Sequence, residues 1–270
     1  MLKRIISLLS KKIMRKISDA TSINSNITYS GSYSNFSDLM LMCDIQDQYS
    51  TLEQFSASVE QAKVLLSSSK TDSFANIGWE SQRLNFLPNF LASLNLDKLK
   101  ALDIGGGFGG TYWNLKRSVP VEIQWDIIEL DKTVRVGMEI FQDVKELSFF
   151  TLNSYLPSNY DLVYFGSSLQ YFEDWQEIIE LALNTHPKYI LISDTTMGDI
   201  ETFVCAQVNL PGIVIPRWVF NIQELVNLFT NSGFRQVLRS SNFYPFHNFY
   251  NYDGEYRNIE HVNLVFKRIE

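Results

Sequence analysis

The chain has 270 residues and a mass of 31.2 kDa, enough for one large domain with a sizeable core. Hydrophobic residues make up 45% and charged residues 20%, which excludes a disordered chain, and no apolar run reaches the roughly 20 residues that a membrane helix needs. A net charge of −7 excludes a general nucleic-acid binder, which needs a basic face for phosphates.

The charge is uneven along the chain. Residues 1–18 carry Lys3, Arg4, Lys11, Lys12, Arg15 and Lys16 and no acid, leaving −13 on the remainder once these six are set apart from the overall −7. Leu2, Ile5, Ile6, Leu9, Ile13 and Ile17 recur at helical steps, so the segment predicts an amphipathic basic helix. Lys11 and Lys12 interrupt the apolar stretch that a secretion signal requires. Such a helix either lies in the plane of a membrane surface or docks on a partner, or it is a solvated leader helix. The two cysteines, Cys43 and Cys205, lack metal-like spacing and suit a reducing cytoplasm.

Residues 20–37, rich in Ser, Asn and Thr, predict loop. Ser50-Thr-Leu-Glu53 has capping-box spacing and opens a helix to about Leu66. A second helix runs from about Trp79 to Leu94, with Pro88 marking a kink or an early stop. Residues 1–97 thus form a basic helix and a helical cap, and residues 98–270 a separate α/β domain. In that domain strands are expected at Leu99–Ile104, Glu122–Leu130, Leu147–Thr151, Tyr160–Gly166 and Tyr189–Ser193. Helices are expected at Gly109–Arg117, Asp131–Val144 and Asp174–Asn184. Near-continuous apolar strands alternating with helices predict a mostly parallel sheet covered on both faces. A helix capped by Asn221-x-x-Glu224 stops at Gly233. Phe234–Phe243 and His261–Arg268 follow with no helix between them, so the last strand is expected to be antiparallel.

The sharpest motif is Leu102-Asp-Ile-Gly-Gly-Gly-Phe-Gly-Gly110, between a strand and a helix. Glycines let a ligand approach the main chain, and free N–H groups of the following helix attract an anionic group. Gly105, Gly107 and Gly110 satisfy the dinucleotide pattern G-x-G-x-x-G, while Asp103, Gly105, Gly107 and Gly109 satisfy D-x-G-x-G-x-G. Glu129, ending the second strand of the domain, suits ribose hydroxyls in either case. Asp103 sits awkwardly beside a pyrophosphate but well near an ammonium or sulfonium. The fourth strand of the domain runs into Phe165-Gly-Ser-Ser-Leu-Gln-Tyr-Phe172, at the end of the sheet where ligands bind.

From Leu99 onward the sequence resembles the class I S-adenosylmethionine-dependent methyltransferases. The resemblance rests on Asp103–Gly109, Glu129, Tyr160-Asp-Leu-Val-Tyr-Phe165 and Asn231-Ser-Gly-Phe234. More narrowly, Thr28-Tyr-Ser-Gly-Ser-Tyr33, Glu80 with Arg83, Ser167-Ser-Leu-Gln-Tyr171 and the stretch from Gln207 to Phe220 resemble bacterial methyltransferases encoded beside surface-polysaccharide genes. The resemblance implies a Rossmann-like sheet under an N-terminal helical cap, with S-adenosylmethionine as cofactor. It implies that Gly105, Gly106, Gly107 and Gly109 wrap the methionine part, with Asp103 facing its ammonium. Glu129 and Leu130 are then at the ribose end, Asn153 and Ser154 near adenine, and Phe165, Gly166 and Ser167 offer carbonyls to the ammonium. Tyr171 suits a cation–π contact with the sulfonium, and Arg83 suits a carboxylate.

Methyl transfer to a hydroxyl needs a base. His247 lies in an aromatic-rich stretch between the last two strands, and Asp194 follows the fifth strand of the domain. Both are candidate catalytic residues, against structural readings as a packed histidine and a turn-capping carboxylate. His186 and His261 are expected to be structural or peripheral. No Cys/His constellation points to a metal. The acidic body suits a small-molecule or glycan acceptor, and the resemblance implies O-methylation of a sugar or polysaccharide intermediate. The alternatives are a nicotinamide-dependent sugar oxidoreductase and a non-catalytic partner subunit of the same fold. Tyr112 and Lys116 have the oxidoreductase Tyr-x-x-x-Lys spacing but fall inside the first helix of the domain.

Overall fold

The computed structural model describes residues 27–43, 52–68, 81–210, 213–242, 247–249, 252 and 254–269. The expected basic helix over residues 1–18 and, of the expected capping box, Ser50 and the Glu53 side chain lie outside them. Ile27–Tyr33 forms a strand, β1, where the sequence predicts loop. Its β-branched and aromatic residues are weak signals by themselves. What makes it a strand is a partner much later in the chain. Three helices follow: Phe36–Cys43 (α1), Leu52–Ser68 (α2) and Ser81–Ser93 (α3), the last continuing through Pro88.

The α/β body opens with Lys98–Ile104 (β2), Gly110–Ser118 (α4), Glu122–Ile128 (β3), Asp131–Ile140 (α5) and Leu147–Phe150 (β4). Leu162–Gly166 (β5), Trp175–Asn184 (α6) and Tyr189–Gly198 (β6) complete the parallel part. These strands lie in the order β6-β5-β2-β3-β4, all parallel. Their side chains alternate between two cores. Leu99, Ala101, Tyr164 and Leu191 meet α2 to α5 on one face. Leu102, Ile104, Phe165, Ile190 and Ile192 meet α6 on the other. Burial on both faces is the physical reason these strands read as continuous apolar runs.

Phe203–Leu210 (β7) and Ile213–Asn221 (β8) form an antiparallel pair, followed by Ile222–Asn231 (α7) and Phe234–Asn242 (β9). Asn221 caps α7 by accepting the Glu224 amide at 2.9 Å, and Gly233 takes φ +82° just after its end. His247–Asn248 (β10) and Glu260–Arg268 (β11) finish the strand set. β11 is antiparallel to both β6 and β9, as expected.

The sequence did not foretell a second sheet, ordered β10-β1-β7-β8. It joins the first through β6, which is longer than the expected Tyr189–Ser193. β6 pairs with β5 as far as Ser193, and then with β8 at Met197 and Gly198. The upper part of β6 therefore projects beyond the C-terminal rim of the parallel sheet. The β1/β7/β8 layer stands beside this projection, over the end of β5.

Candidate functional site

The loop after β2 is shaped by its glycines. Gly105, Gly107 and Gly109 take φ +76°, +57° and +77°, a left-handed region that L side chains rarely adopt. A Cβ on Gly106 would lie 2.6 Å from the Asp103 carboxylate, whereas one on Gly107 or Gly110 would meet nothing within 4 Å. The loop is thus tight underneath and open above, at the N-terminus of α4. Asp103 is the buttress, 1% exposed, with Oδ2 accepting the Trp125 indole N–H at 3.1 Å. Gly106, with no side chain, lies directly against this carboxylate. Ser168, on the loop after β5, donates its hydroxyl to the Ile104 carbonyl and ties the two strand ends together.

Glu129 follows β3 and turns over this loop. Its Oε1 accepts the Gly107 amide at 3.0 Å, and its Oε2 accepts the Leu130 amide at 2.9 Å. Burial nevertheless raises its carboxyl above the ordinary glutamate value, outweighing the two amides that lower it. Beside it Leu130 is 65% exposed, and Leu152, after β4, is also exposed. Two leucines are thus exposed just after the ends of the adjacent strands β3 and β4. Asn153 is exposed, while the Ser154 hydroxyl turns back to accept the Thr151 amide at 3.0 Å and so closes its own turn. Phe165 is fully buried, Gly166 ends β5, and Ser167 follows it. Ser167 has φ +59°, and its carbonyl accepts from the Gln170 side chain at 3.0 Å. On the near side, the Phe55 ring of α2 packs at 6.0 Å from Phe108 of the glycine loop, with the Lys132 ammonium 3.8 Å from the Phe55 ring centroid.

A second polar cluster lies between the rim and the β1/β7/β8 layer. Arg217 on β8 is only 2% exposed. It donates through Nη1 to the Gln207 side chain at 2.7 Å and to the Tyr29 hydroxyl at 3.1 Å, and through Nη2 to Thr196 Oγ1 at 2.9 Å. Its guanidinium carbon lies 5.1 Å from the ring centroid of Tyr29 and 5.4 Å from that of Tyr171. Tyr171 in turn donates to Gln207 at 3.0 Å. Asp194 lies next to this cluster, buried, with φ +55° and its Oδ1 at 3.2 Å from Nδ1 of His261. Sequence reasoning singled out Asp194 but passed over His261, Arg217 and Tyr29 as site residues. The available signal was an arginine and a glutamine set inside the apolar strands Ile213–Asn221 and Phe203–Leu210.

The structure brings Asp103, the glycines, Glu129, Leu130 and the β5 end to one rim, with Asp194 beside them on the next strand. Asn153 and Ser154 sit at the far side of that rim, after β4. His247 pairs through its backbone with Ile27 at the outer edge of the second sheet, and the side chains of His247 and Arg83 lie outside the described residues. Cys205 is buried, with its thiol pushed up to about 12, which leaves it unreactive. Among the described residues no group of His, Cys, Asp and Glu is arranged to hold a metal.

The sequence matches no family model and no curated protein. The fold is similar to several solved structures. A chain from the complex between the Trm112 methyltransferase activator and its candidate methyltransferase of Haloferax volcanii aligns at TM-score 0.52 and 14% identity, over 84% of this chain and 100% of that one. A candidate sarcosine dimethylglycine methyltransferase from Galdieria sulphuraria aligns at 0.51 and 12%, over 70% and 85%. The [4+2]-cyclase SpnF aligns at 0.50 and 12%, over 80% and 96%. Together with the strand order, these likenesses show an α/β, Rossmann-like fold, its sheet mostly parallel with an antiparallel last strand, of the kind found in these methyltransferases and in the cyclase.

Proposed function

We propose that the chain is an S-adenosylmethionine-dependent methyltransferase that O-methylates a sugar or a related small acceptor, such as an intermediate in polysaccharide assembly. The observation that carries this reading is the Glu129 carboxylate held over Gly107, beside the exposed Leu130 and above a loop that is open at the α4 N-terminus. Those groups match the cofactor part by part: a carboxylate for the ribose diol, an apolar wall for adenine, and free helix amides for the methionine carboxylate. Gly105, Gly106, Gly107 and Gly109 would hold the methionine part, with the Asp103 charge favouring its ammonium across Gly106. When bound, the cofactor supplies an electrophilic methyl group on a sulfonium.

The chain's own residues supply the rest. Phe55 and Phe108 help to exclude water on the near side. The Tyr29, Tyr171, Gln207 and Arg217 cluster, buried and hydrogen-bonded within itself, would form a polar wall beside an oxygen-rich acceptor. The fold alone does not choose the reaction, since one similar structure is a cyclase. The oxidoreductase reading is weakened by Tyr112, which is buried in α4 with Lys116 hydrogen-bonded to its hydroxyl at 3.0 Å. Incubation with methyl-labelled S-adenosylmethionine and a panel of monosaccharides and UDP-sugars tests the proposal. Label entering a sugar product supports it. Binding of the cofactor with label transferred only to nitrogen- or carbon-centred acceptors in a parallel panel contradicts it.

A further inference from the structure

The segment Ser193–Thr196 carries more polar machinery than a strand end needs. Asp194 is 4% exposed and His261 is 6% exposed, with Asp194 Oδ1 at 3.2 Å from His261 Nδ1. Asp194 is held through both its side chain and its backbone. Asn242 Nδ2 donates to the same Oδ1 at 3.3 Å, and the Asp194 amide donates to Asn263 Oδ1 at 2.9 Å. Asn263 also accepts from the Ser193 hydroxyl at 2.8 Å and donates to Asn242 at 3.1 Å. The β6–β11 register shifts at this point, and Asp194 takes a left-handed φ although it is not a glycine. Strain of that kind persists only where the surroundings over-determine it, and it clusters at functional sites.

The position is also informative. Ser193 is paired with Gly166, the last residue of β5, so Asp194 is the first residue of β6 beyond the rim. Neighbouring strands are about 4.8 Å apart, which puts it about 10 Å across from the glycine loop on β2. His261 is cross-strand from Thr196, and Thr196 accepts from Arg217. The pair therefore borders the same space as the Tyr29, Tyr171 and Gln207 cluster. With Nδ1 toward the carboxylate, the imidazole turns Nε2, across the ring, away from it. A carboxylate in this relation sets the tautomer and stabilises the imidazolium that forms when Nε2 takes a proton.

We infer that His261 is the general base of the reaction, with Asp194 as its positioning residue, and that the acceptor group is a hydroxyl; this rests on the methyltransferase reading above. The acceptor hydroxyl gives its proton to His261 Nε2 while its oxygen bonds to the methyl carbon, and the electron pair of the breaking C–S bond returns to sulfur. The products are a methyl ether, S-adenosylhomocysteine and a protonated His261, which later loses its proton to water. Asp194 thereby acts through His261 rather than on the acceptor. Charged and titratable groups facing the imidazole are Asp194 from β6 and Arg217 from β8, with Tyr29 of β1 and Tyr171 around the guanidinium. Asn242 and Asn263 on β9 and β11 carry no charge. Burial and Arg217 hold the histidine below its ordinary value, against the Asp194 carboxylate.

The chain has three histidines, so long-range proton–nitrogen NMR of the full-length, 15N-histidine-labelled protein resolves each ring. His186→Gln and His247→Gln variants assign them. At about pH 7.5, His261 is expected as the neutral Nδ1–H tautomer with Nε2 unprotonated, and Asp194→Asn is expected to move it toward the Nε2–H form. An Nε2–H tautomer or an imidazolium in the wild type overturns the inference, and this spectrum needs no acceptor and no substitution at His261 itself. In the sugar panel, His261→Gln is expected to lower turnover at least 100-fold while calorimetric S-adenosylmethionine affinity stays within about twofold. Retained turnover overturns the inference. Silence of the wild type toward S-adenosylmethionine overturns the proposed function instead, and the two failures are thus told apart.

Discussion

Arg217 Nη1 donates to the Tyr29 hydroxyl at 3.1 Å, joining β8 to a strand 188 residues earlier in the chain. A buried guanidinium is tolerated only when its donors are satisfied. Tyr29, Gln207 and Thr196 supply acceptors from three different strands. β1 is therefore built into the sheet beside β7 and is not the loop that its composition predicts. Tyr29→Phe keeps the ring stacked at 4.4 Å on Phe249 but removes one partner from the cation. A loss of about 1.5–3 kcal/mol is expected, read by urea denaturation. An unchanged midpoint would mean that the guanidinium is satisfied without Tyr29.

Glycine substitutions separate support from surface in the loop after β2. Gly106→Ala drives a methyl group against the Asp103 carboxylate, which Trp125 pins from behind. A destabilisation of about 1–3 kcal/mol is expected, with S-adenosylmethionine affinity weakened at least tenfold. Gly110→Ala meets open space and should leave stability within about 0.5 kcal/mol. Thermal unfolding of both variants checks the contrast, and equal effects would remove the support role assigned to Asp103.

Burial raises the Glu129 carboxyl above its ordinary value, so its ionisation is harder in the folded chain than in the unfolded one, and that contribution to stability, full below the ordinary value, is lost as pH rises through the raised value. Glu129→Gln should leave unliganded stability at about pH 7 equal or higher, while S-adenosylmethionine affinity drops about 10- to 100-fold through loss of a charged hydrogen bond. Calorimetry and melting curves on the same samples check this. A variant that melts earlier yet binds normally would reverse the assignment.

His261 gives the opposite pH signature. Its folded value lies below the ordinary 6.5, so its contribution is fully present above that value and is lost as pH falls, when the unfolded chain takes up a proton that the buried ring resists. Denaturation midpoints at about pH 5.5, 6.5 and 7.5 should decline toward acid in the wild type. The decline should be shallower in His261→Asn. Parallel lines for the two proteins would show that other groups set the slope.

The parallel strands were legible because each is an apolar run whose partners flank it on both faces, as with Leu99–Ile104 and Tyr160–Gly166. β6 was read short because Asp194, Thr195 and Thr196 break its apolar run just where it changes partners from β5 to β8. β1, β7 and β8 were not read, because Thr28 through Tyr33 become strand only by pairing with residues 204–208. The glycine loop and Glu129 were legible as local motifs, and the structure adds that Asp103 works from beneath Gly106. His261 and Arg217 were illegible as a site because Asp194 meets His261 only through the β6–β11 pairing, and Tyr29 meets Arg217 only through the β1/β7/β8 layer.

Calorimetric titration of the full-length protein with S-adenosylmethionine, alongside S-adenosylhomocysteine and NAD(H), tests the central claim most directly. Micromolar binding of both adenosyl ligands, weakened in Glu129→Ala and Gly106→Ala and with no response to NAD(H), is the predicted result. Binding of NAD(H) with silence toward both adenosyl ligands would contradict it.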